Sequence, residues 1–336
     1  MSRKRIVQLA KNDHHVNFGG IETITKSIEK HLKTRTFFCP DSSLLSLKNF
    51  LRLFSYIIKE KNVVVIIHSP SIWLPAALLF LLVSKVEIFV LRHCVLSGMK
   101  SFFTFAETLF VKSSKRIKLI TTSPCQNNEE SEHISLFSNL PEVPIFNASL
   151  DNRNHFIFIG RDSHYKNIHF LLSVYKKYIE NGGKLKLIFC TPNAKQIKKF
   201  AQKIGILDLI IWRESLSGEE INKELLKSRA LLLPSELSEE GFGIVQLDAL
   251  NCGTPVVANN IPNSGVGWLH KSSNGVIGIL NDIEKKKMSQ KWIECLVYLE
   301  NIDDKTFEEM SRSSTKHVKN FTEQNFIDRL EEILEV

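Results

Sequence analysis

At 336 residues the chain is too long for one ordinary hydrophobic core and matches two domains of about 150 residues each. Its 43% hydrophobic and 24% charged residues are ordinary for a soluble globular protein, and its six cysteines stand singly, without a CxxC pair or other metal-ligand spacing, which argues against a disulfide scaffold and a structural metal. The net charge of +8 lies wholly in residues 1–150, with 19 Lys/Arg against 11 Asp/Glu, while 151–336 balances at 25 against 25; a basic half joined to a neutral half predicts an anionic partner for the first, nucleic acid or an acidic membrane surface.

In chain order, short apolar runs alternate with amphipathic stretches. The basic lead Met1–Arg5 is followed by only the short stretch Ile6–Ala10 before Lys11, too little apolar chain for an export signal, and the cell interior is the expected address. A first strand at 6–9 leads to Gly19 and Gly20 and then a helix at 21–32. Further strands are predicted at 63–67, 86–91 and 117–121. Residues 72–83 are almost wholly apolar but shorter than the roughly 20 residues that span a bilayer, which predicts a core helix with an edge able to dip into a membrane interface. His68 and His93 each follow an apolar strand, where side chains emerge at a carboxyl end. Residues 142–153, with Pro144, Asn147, Asp151 and Asn152, break the rhythm and read as an interdomain linker. Beyond it come strands at 156–159, 185–189, 210–212, 230–233 and 255–258, helices at 167–178, 219–228 and 243–250, and a final amphipathic helix near 321–336. Uniformly apolar strands alternating with helices indicate α/β architecture with parallel sheets covered on both faces.

Two clusters carry chemistry. In the first, Gly160 and Arg161 leave the strand at 156–159 and Lys166 stands at the next helix start; two cations with a helix N-terminus suit a diphosphate. In the second, Pro234 and Ser235 end a buried strand, Glu240 occupies a loop, and Gly241 and Gly243 let the backbone approach a ligand before a helix begins. Asp248 follows Ile244 by four on one helix face, a carboxylate on an apolar stripe that needs donors such as sugar hydroxyls.

The run from Pro234 and Ser235 through Glu240, Gly241, Phe242, Gly243, Asp248, Gly253 and Val257 resembles the donor-binding signature of glycosyltransferase family 4, in which two acidic residues are separated by seven. Gly19 with Gly20, Arg161 with Lys166, and Asn274 with Gly275 extend the resemblance over nearly the whole chain. It implies the GT-B fold: two Rossmann-like domains with parallel sheets facing across a cleft, an acceptor domain over 1–149 joined by the returning helix 320–336, and a donor domain over 150–319. It also implies a retaining transferase that moves a hexose or N-acetylhexosamine from a nucleotide sugar, such as a UDP-sugar, to a lipid-linked or saccharide acceptor in O-antigen or capsule synthesis. Arg161 and Lys166 would neutralise the diphosphate, Glu240 and the amides of Gly241, Phe242, Gly243 and Ile244 would hold sugar hydroxyls, and Asp248 the ribose. Residues around Thr191 and Arg213 would surround the base, Gly19 and Gly20 would approach the phosphates, and His93 would be the active-site histidine beside the transferred sugar. No metal or other cofactor is expected, nor nucleic acid as partner; the expected location is cytoplasmic, peripheral on the anionic inner face of the cell membrane.

Three departures stand out. Asp248 replaces the usual Glu, Asn167 stands where Gly often follows the Lys, and residues 262–267 replace the usual turn near the donor sugar. A catalytically silent relative acting as a partner subunit is the alternative; its expected mark, loss of Arg161, Lys166 or Glu240, is missing.

Overall fold

The computed structural model describes residues 4–10, 19–38, 44–60, 62–69, 86–96, 101–126, 131–140, 152–214, 216–273, 275–284 and 286–336. The chain forms two compact units, one of Met1–Leu136 with Thr322–Val336 and the other of Phe137–Phe321.

In the first unit β1 (Arg5–Ala10), α1 (Gly20–Leu32), β2 (Arg35–Phe38), α2 (Leu44–Lys59), β3 (Val63–Ser69), β4 (Glu87–Arg92), α3 (Ser101–Lys112), β5 (Ile117–Thr121) and β6 (Ser131–His133) follow one another. The sheet order is β2-β1-β3-β4-β5-β6, and every described pairing is parallel. Parallel strands need crossovers that cover both faces, so Val63–Ile67 of β3 are buried one after another instead of alternately. The helix Glu323–Leu334 completes this unit: Phe326, Ile327, Leu330 and Leu334 are buried, Lys4 Nζ donates to Leu334 O at 3.0 Å, and Arg329 pairs with Glu132 at 2.7 Å. Along α3, Phe102, Phe105 and Leu109 share one face and are 62%, 60% and 54% exposed. Among the described residues no helix is long and apolar enough to cross a membrane. The apolar segment 72–83 lies outside the described residues.

The second unit runs β7 (His155–Ile159), α4 (Ile168–Glu180), β8 (Lys186–Cys190), α5 (Lys195–Lys203), β9 (Ile210–Arg213), α6 (Gly218–Leu226), β10 (Ser228–Leu233), α7 (Ile244–Asn251), β11 (Val256–Asn260), α8 (Gly265–Ser272), β12 (Gly278–Asp282), α9 (Met288–Asn301) and α10 (Asp304–Val318), with Glu323–Leu334 as α11. Its sheet order is β12-β11-β10-β7-β8-β9, again parallel throughout the described pairs. Phe156, Phe158 and Phe189 from the sheet pack with Tyr175 and Tyr178 of α4 and Trp292 of α9 into one core. Each such side chain contributes about 1.5–3 kcal/mol by leaving water. Helix starts are set by local chemistry: Ser217 and Glu220 form a reciprocal capping box for α6, and Asp303 caps α10.

Two details differ from the sequence reading. The units divide at 136/137, not near 149, because Phe137–Leu140 already pack into the second unit: Ser138 and Asn139 bond Asp248 there, and Leu140 lies against Gly218. Arg153, expected in a linker, is buried and donates to Ser228 O at 2.9 Å and Cys252 O at 3.0 Å; residues 141–151 lie outside the described ones.

Candidate functional site

In the second sheet the strand order reverses at the β10/β7 pair, with β8 and β9 continuing to one side of β7 and β11 and β12 to the far side of β10. At such a switch the connections leave the carboxyl ends toward opposite faces and open a crevice between them. Residues 160–166 follow β7 and residues 234–243 follow β10, so both predicted clusters border that crevice.

Lys166 ends a short 3-10 turn, its backbone N–H donating to Ser163 O at 2.9 Å. Its ammonium lies 2.5 Å from Glu240 Oε2, and Ser235 Oγ donates to the same oxygen at 2.6 Å. Lys166 and Glu240 are 8% and 6% exposed. A lone charge at that depth costs several kcal/mol, so each partner makes the other's burial tolerable. The lysine stem crosses Gly160, where a Cβ would lie 3.5 Å from Lys166 Cε and 3.3 Å from the Phe158 ring. Arg161, in contrast, is exposed.

The loop bearing Glu240 is pinned from several sides. Glu236 N donates to Tyr165 O at 3.2 Å, joining it to the lysine turn. Asn259 Nδ2 donates to Pro234 O and Ser235 O at 3.1 and 3.0 Å, while Trp292 Nε1 donates to Asn259 Oδ1 at 2.9 Å. Ser264 Oγ donates to Glu240 O at 2.5 Å, and Gly265 N to Gly241 O at 2.6 Å. Gly243 then takes φ 71° at the start of α7, which has no side-chain cap. Gln246 N donates to Gly243 O at 2.8 Å, so of the first amides of that helix those of Ile244 and Val245 are left for a ligand. Phe242 is buried, its ring so close to Gly265 that a Cβ there would lie 2.5 Å away; only its backbone remains for a ligand.

Asp248 sits one turn into α7. Its Oδ1 accepts from Ser138 Oγ and from Asn139 N, both at 2.8 Å. Burial pushes this carboxyl up to about 6, against the opposing pull of those hydrogen bonds. Thr191 follows β8 and Arg213 ends β9, and the two meet through Thr191 N donating to Arg213 O at 3.0 Å. The Thr191 hydroxyl is buried without a hydrogen-bond partner among the described residues, and the Arg213 guanidinium leans toward Glu224 at 3.6 Å.

In the first unit, Gly19 precedes α1 in extended backbone and Gly20 begins the helix, and Gly19 O accepts from Thr23 N at 3.0 Å. His93 follows β4; its main-chain O accepts from Gln126 Nε2 at 3.2 Å, and burial pushes its imidazole down to about 3, so the ring is neutral.

Residues 142–294 match the family model "Glycosyl transferases group 1". The chain is 24% identical over 211 residues to an O-antigen chain mannosyltransferase of Salmonella typhimurium, covering 61% of this chain and 56% of that protein, so it spans just over half the relative's length. Both are likenesses to glycosyltransferases, the family match extending over less than half of this chain. Two solved structures give the fold as GT-B. Sucrose-phosphate synthase of Thermosynechococcus elongatus superposes with a TM-score of 0.77 at 12% identity, covering 99% of this chain and 98% of that one. HepE of Anabaena, solved with UDP and glucose, gives 0.74 at 15% identity over 98% of this chain and 99% of that one.

Within the segment that matches the family model, sequence reasoning missed the supporting residues Asn259, Ser264 and Trp292. Asn259 carries a readable signal, a polar residue closing the apolar run of β11 at a fully buried position. Ser264 and Trp292 act across contacts distant in sequence, Trp292 from α9 through Asn259.

Proposed function

We propose that the protein is a retaining, nucleotide-sugar-dependent glycosyltransferase that moves a hexose or N-acetylhexosamine to a lipid-linked or saccharide acceptor in bacterial polysaccharide assembly. The observation that carries this reading is the buried Lys166–Glu240 pair at the β10/β7 switch, with Arg161 leaving β7 and the free amides of α7 beyond Gly243. In transfer the bond from the anomeric carbon to the β-phosphate oxygen breaks, and the nucleoside diphosphate leaves with the electron pair. The acceptor oxygen forms the new bond, and its proton passes to the departing phosphate. Negative charge grows on that phosphate, where Arg161, Lys166 and helix amides stabilise it without a metal ion. Glu240 accepts from sugar hydroxyls, the second oxygen of Asp248 accepts from the ribose, and Thr191 and Arg213 flank the base. The family match, the O-antigen relative and the neighbour carrying UDP and glucose support the assignment.

The same reading places the protein at the cytoplasmic face of an anionic membrane. Residues 1–118 hold 19 Lys/Arg against 7 Asp/Glu, and α3 in the same stretch exposes Phe102, Phe105 and Leu109.

A thermal-shift panel of UDP-, GDP- and dTDP-sugars tests the donor site. One nucleotide sugar is expected to raise the melting temperature of the native protein and to do so much less in Arg161→Ala. Equal shifts in both proteins, or none with any sugar, would overturn the assignment.

A further inference from the structure

The second unit carries a cavity of about 400 Å³ at the opposite end of its strands from the loops after β7 and β10. Helix α8 starts beyond the carboxyl end of β11 and leads back to the amino end of β12, which pairs parallel to β11 from Gly278 onward. Residues 270–273, closing α8, and residues 275–278, opening β12, therefore come together at the amino end of the sheet and line this cavity with Leu280. Its volume is that of a small-molecule site, for which about 300 Å³ suffices.

The wall formed by β12 is set by the fold. Val256 N donates to Ile277 O at 3.2 Å, and Gly278 takes φ 150° where a Cβ would fall 2.0 Å from Val256 O, so the start of the strand is pressed against β11. Ile277 and Leu280 make the lining apolar, and Val276, 61% exposed, stands at its rim.

The polar groups select the charge of an occupant. No acidic residue lines the cavity among the described residues, and the one formal charge on its wall is the Lys271 ammonium, which meets only the neutral amide oxygen of Asn260, at 3.0 Å. The carbonyls of Leu269 and His270, which a cation at the helix end would seek, carry donors of their own: Ser272 Oγ at 3.1 Å and Ser273 Oγ at 2.8 Å. His270 Nε2 is buried without a hydrogen-bond partner among the described residues, a condition that native proteins rarely leave unmet. Burial, with His317 nearby, pushes this imidazole down to about 4, so the ring is neutral and carries one N–H. No hydrogen bond holds Nε2, so the ring can turn it toward the cavity without breaking one.

We propose that this cavity binds a small organic carboxylate with an apolar body, the carboxylate set between Lys271 and the His270 ring and the body laid over Val276, Ile277 and Leu280. A cation would be repelled by Lys271, and an uncharged apolar molecule would leave the imidazole nitrogen unmatched.

Octanoate is the probe, with octanol as its uncharged counterpart and acetate as the head without the body. Carbon-13 methyl spectra of the full chain report on the site itself, the Val276 and Ile277 signals being identified by their loss in Val276→Ala and Ile277→Leu. Octanoate is expected to shift these signals saturably, at concentrations about tenfold below those that octanol or acetate requires, the worth of one charge-assisted hydrogen bond. Lys271→Glu, at an exposed position, should weaken octanoate by about the same factor, and so should His270→Phe, which keeps a ring without its nitrogens. Absence of a saturable shift, an equal response to octanol or to acetate, or undiminished octanoate binding in either folded variant overturns the proposal. If His270→Phe unfolds, Lys271→Glu decides alone. No nucleotide sugar enters the measurement, so failure here leaves the glycosyltransferase reading standing, and failure of that reading leaves this site.

Discussion

Two cations border the same crevice under different constraints, and their alanine variants should separate accordingly. Arg161 is exposed, so Arg161→Ala should cut transfer by about two orders of magnitude, the cost of roughly 3 kcal/mol of lost charge stabilisation, with an unchanged melting temperature. Lys166→Ala should lose at least as much rate and also destabilise the fold by about 3–5 kcal/mol, because buried Glu240 loses its partner. Steady-state rates and thermal melts on the two variants check this; a native melting temperature in Lys166→Ala would mean that Glu240 is not held by the pair. Asp248 supplies a pH test. Its carboxyl is raised from 3.8 to about 6 in the folded chain, so the folded state binds the proton more tightly than the unfolded one. The associated stability is present below about pH 4 and is lost as pH rises through 6, about 3 kcal/mol in all. Asp248→Asn keeps an oxygen for Ser138 and Asn139 without the charge. Its stability relative to the native protein should therefore improve between pH 4 and 7, as chemical denaturation at the two pH values would reveal; in the proposed function it should also weaken nucleotide binding more than turnover. Arg161, Lys166, Glu240 and Asp248 were all legible as residue types at telling spacings. That Lys166 meets Glu240, and Asp248 meets Ser138, was not, because those contacts join segments 74 and 110 residues apart and no local pattern encodes them.

At the level of elements, the start of α7 depends on a backbone conformation open to glycine. Gly243 has φ 71°, and a Cβ there would stand 3.1 Å from Leu233 Cδ2 and 3.3 Å from Val266 Cγ2. Gly243→Ala should cost about 1–2 kcal/mol for the left-handed conformation alone, and more if the neighbours cannot yield. Because the shift moves the amides of α7, the thermal shift given by the preferred nucleotide sugar should shrink as well; a full shift in a destabilised variant would separate α7 from the donor site. The strands show where sequence stops being informative. All nine expected strands exist within one or two residues of their expected ends, since buried parallel strands read as unbroken apolar runs. The three unforeseen ones, β2, β6 and β12, lie at sheet edges. An edge strand is covered on one side only, and Arg35–Phe38, Ser131–His133 and Gly278–Asp282 are accordingly short and mixed in polarity, like turns.

For the molecule as a whole, charge and exposed apolar surface occur together in the first unit. The protein is expected to pellet with vesicles containing anionic lipid at low salt, each Lys or Arg near the surface adding about 1 kcal/mol. At 1 M salt, where the Debye length is about 3 Å, the attachment should fade, and any remainder should depend on Phe102 and Phe105 and disappear in the doubly serine-substituted protein. Equal sedimentation with neutral and anionic vesicles at low salt would refute an electrostatic attachment. The charge asymmetry was readable by counting; the α3 stripe was not, because an exposed Phe and a buried one look alike in sequence. The return of α11 to the first unit has a consequence for synthesis. Ribosomes add roughly 5–20 residues each second, so making Phe137–Phe321 takes on the order of 10–40 s after the sixth strand has emerged. Throughout that interval the first unit lacks the helix whose Phe326, Ile327, Leu330, Ile333 and Leu334 are buried in the finished protein. The second unit, continuous in sequence, can therefore fold before the first is complete, and the nascent chain carries an open apolar face until its last turn of helix leaves the ribosome.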